Sequence, residues 1–132
     1  MNQSLKEQLQ KYRLIKPKEV WLVADSEVVL HSDKRKDKIK RPVLVLMSKK
    51  AIENTSHIIN CIPLTASAKR FDSVTFPIHK GYKEIVKDFS PNENSAALIQ
   101  FYQPIERKYF DVCVGTIDDV TYSAIDNIVG NY

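Results

Sequence analysis

The sequence predicts a mainly β protein, in which a small, curled antiparallel sheet or barrel carries helices at its two ends. Short apolar runs rich in β-branched residues follow one another at close spacing, as strands with short connections do. Helical periodicity is confined to the two ends of the chain, so the alternation of strands and helices that builds a parallel sheet is missing. The length of 132 residues suits one domain with a hydrophobic core.

The first segment of the chain predicts a short amphipathic helix. Ser4 and Glu7 have the Ser-x-x-Glu spacing of a capping box, and apolar residues then recur at helical spacing over residues 5–13. A proline at position 17 stops any continuation. We therefore divide the chain into an N-terminal helical extension, residues 1–16, and a barrel domain, residues 17–132.

The strands are predicted from apolar runs along the barrel domain. Residues 19–24 are mostly β-branched and aromatic, and residues 43–47 are continuously apolar, as in a strand covered on both faces. The polar stretch between these two runs is expected to be a long loop. Further strands are predicted over residues 57–64, 74–78, 96–102 and 112–114. Pro77 confines the run 74–78 to a sheet edge or a bulge.

A second helix is predicted at the C-terminal end. Asp118 or Asp119 can cap it, and Gly130 marks its end. Its apolar face is expected to consist of Val120, Ala124, Ile125, Ile128 and Val129. Residues 80–94, between the strands, are interpreted as a loop or a single helical turn.

The charge distribution suggests a polyanionic partner. Residues 1–50 carry a net charge of +7 and residues 51–132 carry −3, which gives the overall +4. Nucleic acid is the first candidate for such a basic half, and a merely solubilising surface is the alternative. No apolar run reaches membrane-spanning length and the N-terminus is polar, so we expect a cytoplasmic protein that does not contact a membrane. Cys61 and Cys113 lie in apolar runs and are expected to be buried thiols rather than a disulfide.

Several kinds of catalytic site are excluded by their missing motifs. The three glycines are not clustered, so there is neither a phosphate-binding loop nor a dinucleotide motif. The histidines and cysteines lack the spacing of a metal site, and there is no Gly-x-Ser-x-Gly elbow. Any catalysis is therefore expected to use ordinary side chains, with no metal and no cofactor.

The most informative segment is a basic stretch that leads directly into a strand. Residues 34–41 hold six cations and one carboxylate, and Pro42 follows. The proline favours an extended conformation for Arg41, which gives its side chain a defined direction. A positioned arginine beside a basic loop suits a phosphodiester. Pairing of Arg41 with a carboxylate at the strand start is the simpler alternative.

The order of segments resembles the MazF/PemK family of toxin endoribonucleases. The resemblance covers most of the barrel domain and rests on a run of short segments. These are Glu19-Val20-Trp21-Leu22-Val23, Arg41-Pro42-Val43-Leu44-Val45-Leu46, Ile62-Pro63-Leu64-Thr65-Ala66-Ser67, Ser95-Ala96-Ala97-Leu98-Ile99-Gln100 and Val114-Gly115, followed by the terminal helix. It implies an SH3-like, PemK-like barrel that forms a homodimer, cuts single-stranded RNA without metal, and is neutralised by a cognate antitoxin.

The resemblance also implies roles for individual residues. Arg41 corresponds to the catalytic arginine and Thr65 to the hydroxyl partner near the scissile phosphate, although Thr65 could equally be an ordinary turn residue. Asp37 is the carboxylate within the basic stretch that could assist. The candidate RNA-binding residues are Lys36, Lys38, Lys40, Ser67, Lys69, Arg70 and Gln100.

Two departures from the family pattern bear on specificity. Family members reach the arginine through a Gly-Ser-Glu-Gln-Gly-like loop, whereas residues 34–40 here are basic. The family's Asp-Gln pair corresponds either to Gln100-Phe101 or, in a shifted register, to Gln103-Pro104, and the acid is missing in both. A non-catalytic module on the same barrel, binding nucleic acid or protein as gyrase-poisoning toxins do, is therefore the alternative function, as is a degenerate toxin.

Overall fold

The computed structural model describes residues 15–30, 39–54, 57–86 and 91–131. The predicted helix over residues 5–13 lies outside the described residues, as do Lys36, Asp37 and Lys38.

Short strands and two helices make up the described chain. The strands are β1 (Glu19–Ala24), β2 (Lys40–Val45), β3 (Ile58–Thr65), β4 (Thr75–Pro77), β5 (Tyr82–Glu84), β6 (Ala96–Leu98), β7 (Gln103–Glu106) and β8 (Phe110–Ile117). The helices are α1 (Lys49–Asn54) and α2 (Asp119–Gly130), and 3₁₀ turns lie at Asp25–Glu27, His79–Gly81, Ile99–Phe101 and Arg107–Tyr109.

The strands form one curled antiparallel sheet. Its order is β4-β6-β3-β2-β1-β8-β5, and β7 also pairs with β3. β3 is shared in two parts, because its first half bonds to β7 and its last two residues bond to β6. Register shifts in the β1–β8 pair, on either side of Trp21 and Leu22, add local bend and twist. The predicted class of fold is therefore confirmed.

Both faces of the central strands are covered. Val43 and Val45 belong to one buried cluster, with Trp21 and Phe110, whereas Leu44 belongs to the other. All three β2 side chains are completely inaccessible, which confirms the prediction of a strand covered on both faces. The first cluster includes Ile52 of α1, and the second includes Ile125 of α2. This arrangement fixes the strand ends that carry the candidate site.

Three of the sequence predictions need correction. The run 96–102 is not one strand, because β6 ends at Leu98 and a 3₁₀ turn separates it from β7. Residues 80–94 include β5, a short polar strand that pairs with β8 and has no apolar signal of its own. Val120 is 79% exposed and does not belong to the buried face of α2. The predicted helix α2 itself is confirmed, and Asp118 is its N-cap.

Two smaller predictions are confirmed. β4, which contains Pro77, lies at an edge of the sheet. Cys61 and Cys113 are both free thiols, and Cys61 is buried as predicted, whereas Cys113 is only half-buried. Among the described helices, none has the length and apolar character needed to cross a membrane.

Candidate active site at the start of β2

Arg41 lies at the start of β2 with its side chain on a buried face of the sheet. It pairs with Val23 of β1, and alternation along β2 places it on the same face as Val43. Only 4% of the residue is exposed. The sequence predicted a defined direction for this side chain, and the register of β1 against β2 supplies it.

The carboxylate that meets Arg41 belongs to Asp25. The Asp25 Oδ1 atom accepts a hydrogen bond from Arg41 Nε at 2.7 Å, and both side chains are largely buried. Asp25 is two residues beyond Val23, so it lies diagonally across from Arg41 on the same face. Its backbone N–H donates to the carbonyl of Ile39 at 3.0 Å, which fixes the carboxylate at the end of the ladder.

Sequence reasoning missed Asp25, because it assigned this residue to the polar loop. The signal was present in the alternation of β1, since residues 21, 23 and 25 share one face of an extended strand. A carboxylate in phase with buried Trp21 and Val23 is a reason to expect a buried partner cation.

One part of the Arg41 guanidinium is left without a partner. The Nη2 atom is buried and makes no hydrogen bond within the structure as described. A buried donor without an acceptor costs about 1–3 kcal/mol, so such atoms in proteins call for an explanation. A phosphate oxygen is the kind of acceptor that an arginine Nη donor binds well.

Thr65 lies at the end of β3, and the strand register relates it to Arg41. β2 and β3 pair at Val43 with Pro63, and the same register carried two residues further sets Arg41 opposite Thr65. The hydrogen-bonded ladder ends before that point, where Pro42 and Pro63 have no N–H to donate. The two strands therefore end their pairing next to these two side chains, as a site between strand ends requires.

Ser67 shares the end of β3 with Thr65. The two hydroxyl oxygens are 3.5 Å apart, and the Ser67 N–H donates to Thr65 Oγ1 at 3.3 Å. Thr65 is half-buried and Ser67 is exposed, so a ligand at this end of the strand can reach both hydroxyls. The pair provides two rotatable O–H donors close together.

The candidate cations are distributed around the site rather than gathered at one point. Lys40 is next to Arg41, but strand alternation turns it to the opposite face, where its Nζ lies 3.5 Å from Asp111. Lys69 and Arg70 are exposed in the loop that follows Ser67. Arg70 Nε is 3.7 Å from an Asp72 carboxylate oxygen. The N–H of Val74, followed by smaller contributions, holds the pKa of Asp72 below its ordinary value.

The two glutamine alternatives differ sharply in environment. Gln100 is exposed in a 3₁₀ turn, and the antiparallel pairing of β6 with β3 carries it away from Thr65. Gln103 is buried, and its amide accepts from Val29 N–H at 2.8 Å and donates to Val29 O at 3.0 Å. The same Nε2 also donates to the carbonyl of Phe101 at 2.9 Å. Gln103 thus fastens the chain between Asp25 and the basic stretch to β7.

A shallow groove lies near the Thr65 end of β3. Pairing of Thr65 with Ala96, and of Ala96 with Pro77, sets these three residues in a row across β3, β6 and β4. The groove has a volume of about 320 Å³ and is lined by Phe71, Pro77, His79, Lys80, Gly81, Glu93 and Thr121. Its lining mixes apolar, basic and acidic side chains and does not by itself indicate a ligand.

A metal centre is not evident in the part of the chain that the structure describes, where no group of three His, Cys, Asp or Glu side chains could hold an ion.

The aromatic residues near the end of the sheet are divided between core and surface. Phe110 is buried with its ring edge-on to Trp21, at 6.2 Å between centroids, whereas Tyr102 is exposed.

Comparison with known proteins shows the fold. No family sequence model matches the chain, and no curated protein matches it in sequence. The solved structure of the Mycobacterium tuberculosis toxin MazF-mt6 superposes with a TM-score of 0.58 at 17% identity, covering 86% of this chain and 93% of that one. A mycobacterial endoribonuclease in complex with its cognate antitoxin gives 0.57 at 8% identity, covering 89% and 92%.

MazE-MazF from Deinococcus radiodurans gives a TM-score of 0.57 at 18% identity, again covering 89% of this chain and 92% of that chain. These identities are too low to carry over residues or activity, but the coverage is nearly complete on both sides. The resemblance inferred from the order of the sequence segments therefore holds at the level of structure, and the chain has the fold of the MazF toxins.

Proposed function

We propose that the protein is the toxin component of a type II toxin–antitoxin system and cleaves single-stranded RNA without a metal ion. The observation that carries the proposal is Arg41, a buried arginine at the start of β2 with an unpartnered Nη2 atom. Extending the β2–β3 register by two residues sets Thr65 opposite it. On a MazF fold, a cation so placed is suited to a phosphodiester.

The proposed reaction is an internal transesterification. The ribose 2′-oxygen forms a bond to phosphorus, and the bond from phosphorus to the 5′-oxygen breaks. The 2′-hydroxyl loses a proton and the leaving 5′-oxygen gains one, so the products are a 2′,3′-cyclic phosphate and a free 5′-hydroxyl. Negative charge grows on the non-bridging oxygens, where Arg41 and the Thr65 hydroxyl donate hydrogen bonds.

The burial of Arg41 places a condition on this reaction. Only 5% of the side chain is exposed, so RNA must open the surroundings of the guanidinium before a phosphate oxygen reaches Nη2. The unpartnered donor favours that step, because a phosphate oxygen satisfies a group that is otherwise buried without an acceptor. We propose that Lys69, Arg70 and Ser67, which follow Thr65 along the chain, hold the RNA on the Thr65 side. Lys36 and Lys38 stay candidate contacts from the sequence alone, whereas the positions of Lys40 and Gln100 do not favour a direct contact at this site.

The proposed partners follow from the same fold. One structural neighbour is a mycobacterial endoribonuclease in complex with its cognate antitoxin, and another is the two-protein assembly MazE-MazF. We therefore propose a cognate antitoxin for this chain, and a homodimer as its working form. The pairing is supported if a neighbouring reading frame encodes a short acidic protein and if that protein co-purifies with this one.

A non-catalytic binding module is the second candidate. The specific observation in its favour is the Arg41–Asp25 pair, which is what a merely structural arginine at a strand start would make. In this case the barrel binds nucleic acid or a protein target and leaves RNA intact.

One assay separates the two functions. The purified protein is incubated with a long single-stranded RNA in EDTA, beside the variants Arg41→Ala and Arg41→Lys. We expect cleavage with cyclic-phosphate ends, and a loss of about 10²–10³-fold when the positioned donors are removed. Arg41→Lys keeps the charge but loses the planar fork, so it is also expected to be strongly impaired. RNA that shifts on a gel but stays intact contradicts the nuclease and supports the binding module.

The hydroxyl partner has its own matched test. Thr65→Val keeps the shape of the side chain and removes the hydroxyl, which is both the proposed donor to the phosphate and the acceptor of the Ser67 N–H. We expect a smaller loss of cleavage than for Arg41→Ala, with Ser67 as the nearest hydroxyl that could substitute. The double change at Thr65 and Ser67 is then expected to lose more activity than either single change.

A further inference from the structure

We propose that Asp25 is a positioning residue, which fixes the Arg41 guanidinium through Nε so that its Nη side faces the scissile phosphate. The inference rests on the proposed ribonuclease function and extends it to a residue outside the segments that resemble the family.

The geometry gives Asp25 the means to hold the guanidinium. A short hydrogen bond, 2.7 Å from Arg41 Nε to Asp25 Oδ1, holds one nitrogen of a planar group. The neighbouring Nη2, which carries two N–H donors, makes no hydrogen bond within the described structure. Because a guanidinium is rigid, fixing Nε sets the direction in which the Nη donors point.

Asp25 is itself held in place. Its N–H bonds to the carbonyl of Ile39, and its own carbonyl accepts from Val28 N–H at 3.1 Å. Beyond Val28, Gln103 fastens Val29 to β7 through both of its backbone polar groups. The Asp25 carboxylate therefore lies on a segment that is hydrogen-bonded both to Ile39, just before β2, and to β7. A residue that orients another side chain needs such support.

The alternative, in which Asp25 blocks the site by competing with phosphate, fits the contacts less well. A competing carboxylate would take the Nη donors that a phosphate needs, yet Nη2 is left without a partner. Holding the arginine in advance also removes side-chain freedom that would otherwise be lost when RNA binds. The arrangement is thus a preorganised one.

The first test compares cleavage kinetics. Asp25→Asn removes the charge with almost no change of shape, and we expect kcat to fall by about 10²-fold, the cost of misplacing a catalytic group by about 1 Å. KM for the RNA is expected to change little, because the exposed cations that bind the backbone are untouched. Asp119→Asn is the matched control, since Asp119 also pairs with a cation, Lys18, but at the exposed start of α2. Its kcat is expected to equal that of the wild type.

The second test does not use the single variant Asp25→Asn. Arg41→Ala leaves a space beside the Asp25 carboxylate, and guanidinium added at a non-denaturing concentration is expected to restore part of the cleavage. Urea, which has the same shape but no charge, is the control. The double variant Asp25→Asn with Arg41→Ala contains neither charge, and guanidinium is expected to restore nothing to it.

A spectroscopic measurement separates the failure of this inference from the failure of the proposed function. The Nε–H signal of Arg41 is expected to exchange slowly in the wild type and to lose its protection in Asp25→Asn. A wild type that shows the signal but leaves RNA intact overturns the nuclease and, with it, the positioning role. An active wild type whose kcat is kept by Asp25→Asn, or a guanidinium rescue that does not depend on Asp25, overturns the positioning role alone.

Discussion

The buried Arg41–Asp25 pair costs desolvation free energy, and it also provides a donor for an anion. Removing both charges from water is expensive, and their attraction in the interior offsets that cost only when further hydrogen bonds are made. Here one guanidinium nitrogen remains unpartnered, so the pair by itself is expected to contribute little to the stability of the fold. The same unpartnered nitrogen suits the pair to anion binding, because the ligand supplies the missing acceptor.

Gly115 gives a prediction at the residue scale. A Cβ placed on it would lie 2.0 Å from the Tyr82 hydroxyl oxygen and 2.2 Å from the ring carbon that carries it. Tyr82 is fixed there by a hydrogen bond from its hydroxyl to the carbonyl of Val114, at 3.0 Å. We expect Gly115→Ala to lower the free energy of unfolding by about 1–3 kcal/mol, the usual cost of overpacking. Urea unfolding followed by fluorescence measures it.

Gly130 is the matched control for this substitution. It lies at the end of α2, where a Cβ would have no described atom within 4 Å apart from its chain neighbours and the backbone of its own helix. Gly130→Ala is expected to stabilise the protein by up to about 1 kcal/mol, because alanine is the better helix former. If both alanine variants have the same stability, the contact with Tyr82 is not the cause of the effect at Gly115.

The cysteines allow a prediction about reactivity. Burial raises the pKa of the Cys61 thiol, and burial, followed by the nearby Glu19 carboxylate, raises the pKa of Cys113 to about 12. Since the thiolate is the reactive species, neither thiol is expected to react with iodoacetamide in the native protein at pH 8. Mass spectrometry should find both alkylated after denaturation. Rapid stoichiometric labelling of the native protein would show that one of these thiols is not held as described.

At the scale of elements, the cap of α2 gives a prediction that depends on pH. The Asp118 side chain accepts a hydrogen bond from Thr121 N–H at 2.8 Å. Hydrogen bonds from Thr121, its side chain first and then its backbone, hold the pKa of Asp118 below the ordinary value. The carboxylate therefore contributes stability that is complete above its unfolded pKa, about 4, and is lost as the pH falls through its folded pKa. Thermal unfolding of Asp118→Ala against the wild type should show a lower Tm at pH 7.

The pH dependence checks the origin of that difference. The Tm gap between wild type and Asp118→Ala is expected to close as the pH is lowered below 4, about the unfolded value. Asp118→Ser keeps a capping oxygen without a charge, so its Tm at pH 7 should lie near that of the wild type. The Tm difference between Asp118→Ser and Asp118→Ala should then not close as the pH is lowered. A gap that is constant down to pH 2 would assign the effect to something other than the ionised cap.

The elements that the sequence predicted correctly are those whose signals are local. β1, β2 and β3 are apolar runs, and α2 has a cap and a helical period, so each needs only its own residues. β5 and β7 are three or four residues long and mostly polar, and they become strands only because β8 and β3 offer them partners. The buried amide of Gln103 is stable because distant Val29 satisfies it, which no local pattern contains.

The residues of the candidate site also divide into those with a local sequence signal and those without one. Arg41 and Thr65 were identified from strand-end motifs together with the family resemblance. Asp25 could not be found in this way, because its role depends on the register of β1 against β2, a long-range property. Sequence motifs thus indicate which residues end the strands, and the sheet determines which of them meet.

At the scale of the whole molecule, net charge is divided unevenly along the chain. The basic first 50 residues carry +7, and the remainder carries −3. Lys40 begins β2, while Lys69 and Arg70 follow β3, and these two strands are neighbours in the sheet. Exposed cations from two separate parts of the sequence thus adjoin neighbouring strands, and such a distribution suits the backbone of a polyanion.

This arrangement predicts how RNA binding depends on salt. Each phosphate contact on a single strand contributes about −0.7 to the slope of log K against log salt concentration. Replacing Lys69 and Arg70 by alanine is therefore expected to reduce the magnitude of that slope by about 1.4, and to weaken binding to all sequences alike.

Asp72 does not prevent this role for Arg70, because an ion pair between exposed side chains is weak. Lys83→Ala is the control, since Lys83 is also exposed but lies on β5, which pairs with β8 and is not a neighbour of β2 or β3 in the sheet. Titrations should be made in the Arg41→Ala background, so that cleavage does not consume the RNA. An unchanged slope for the double variant, or an equal change for Lys83→Ala, would mean that the RNA follows a different path across the sheet.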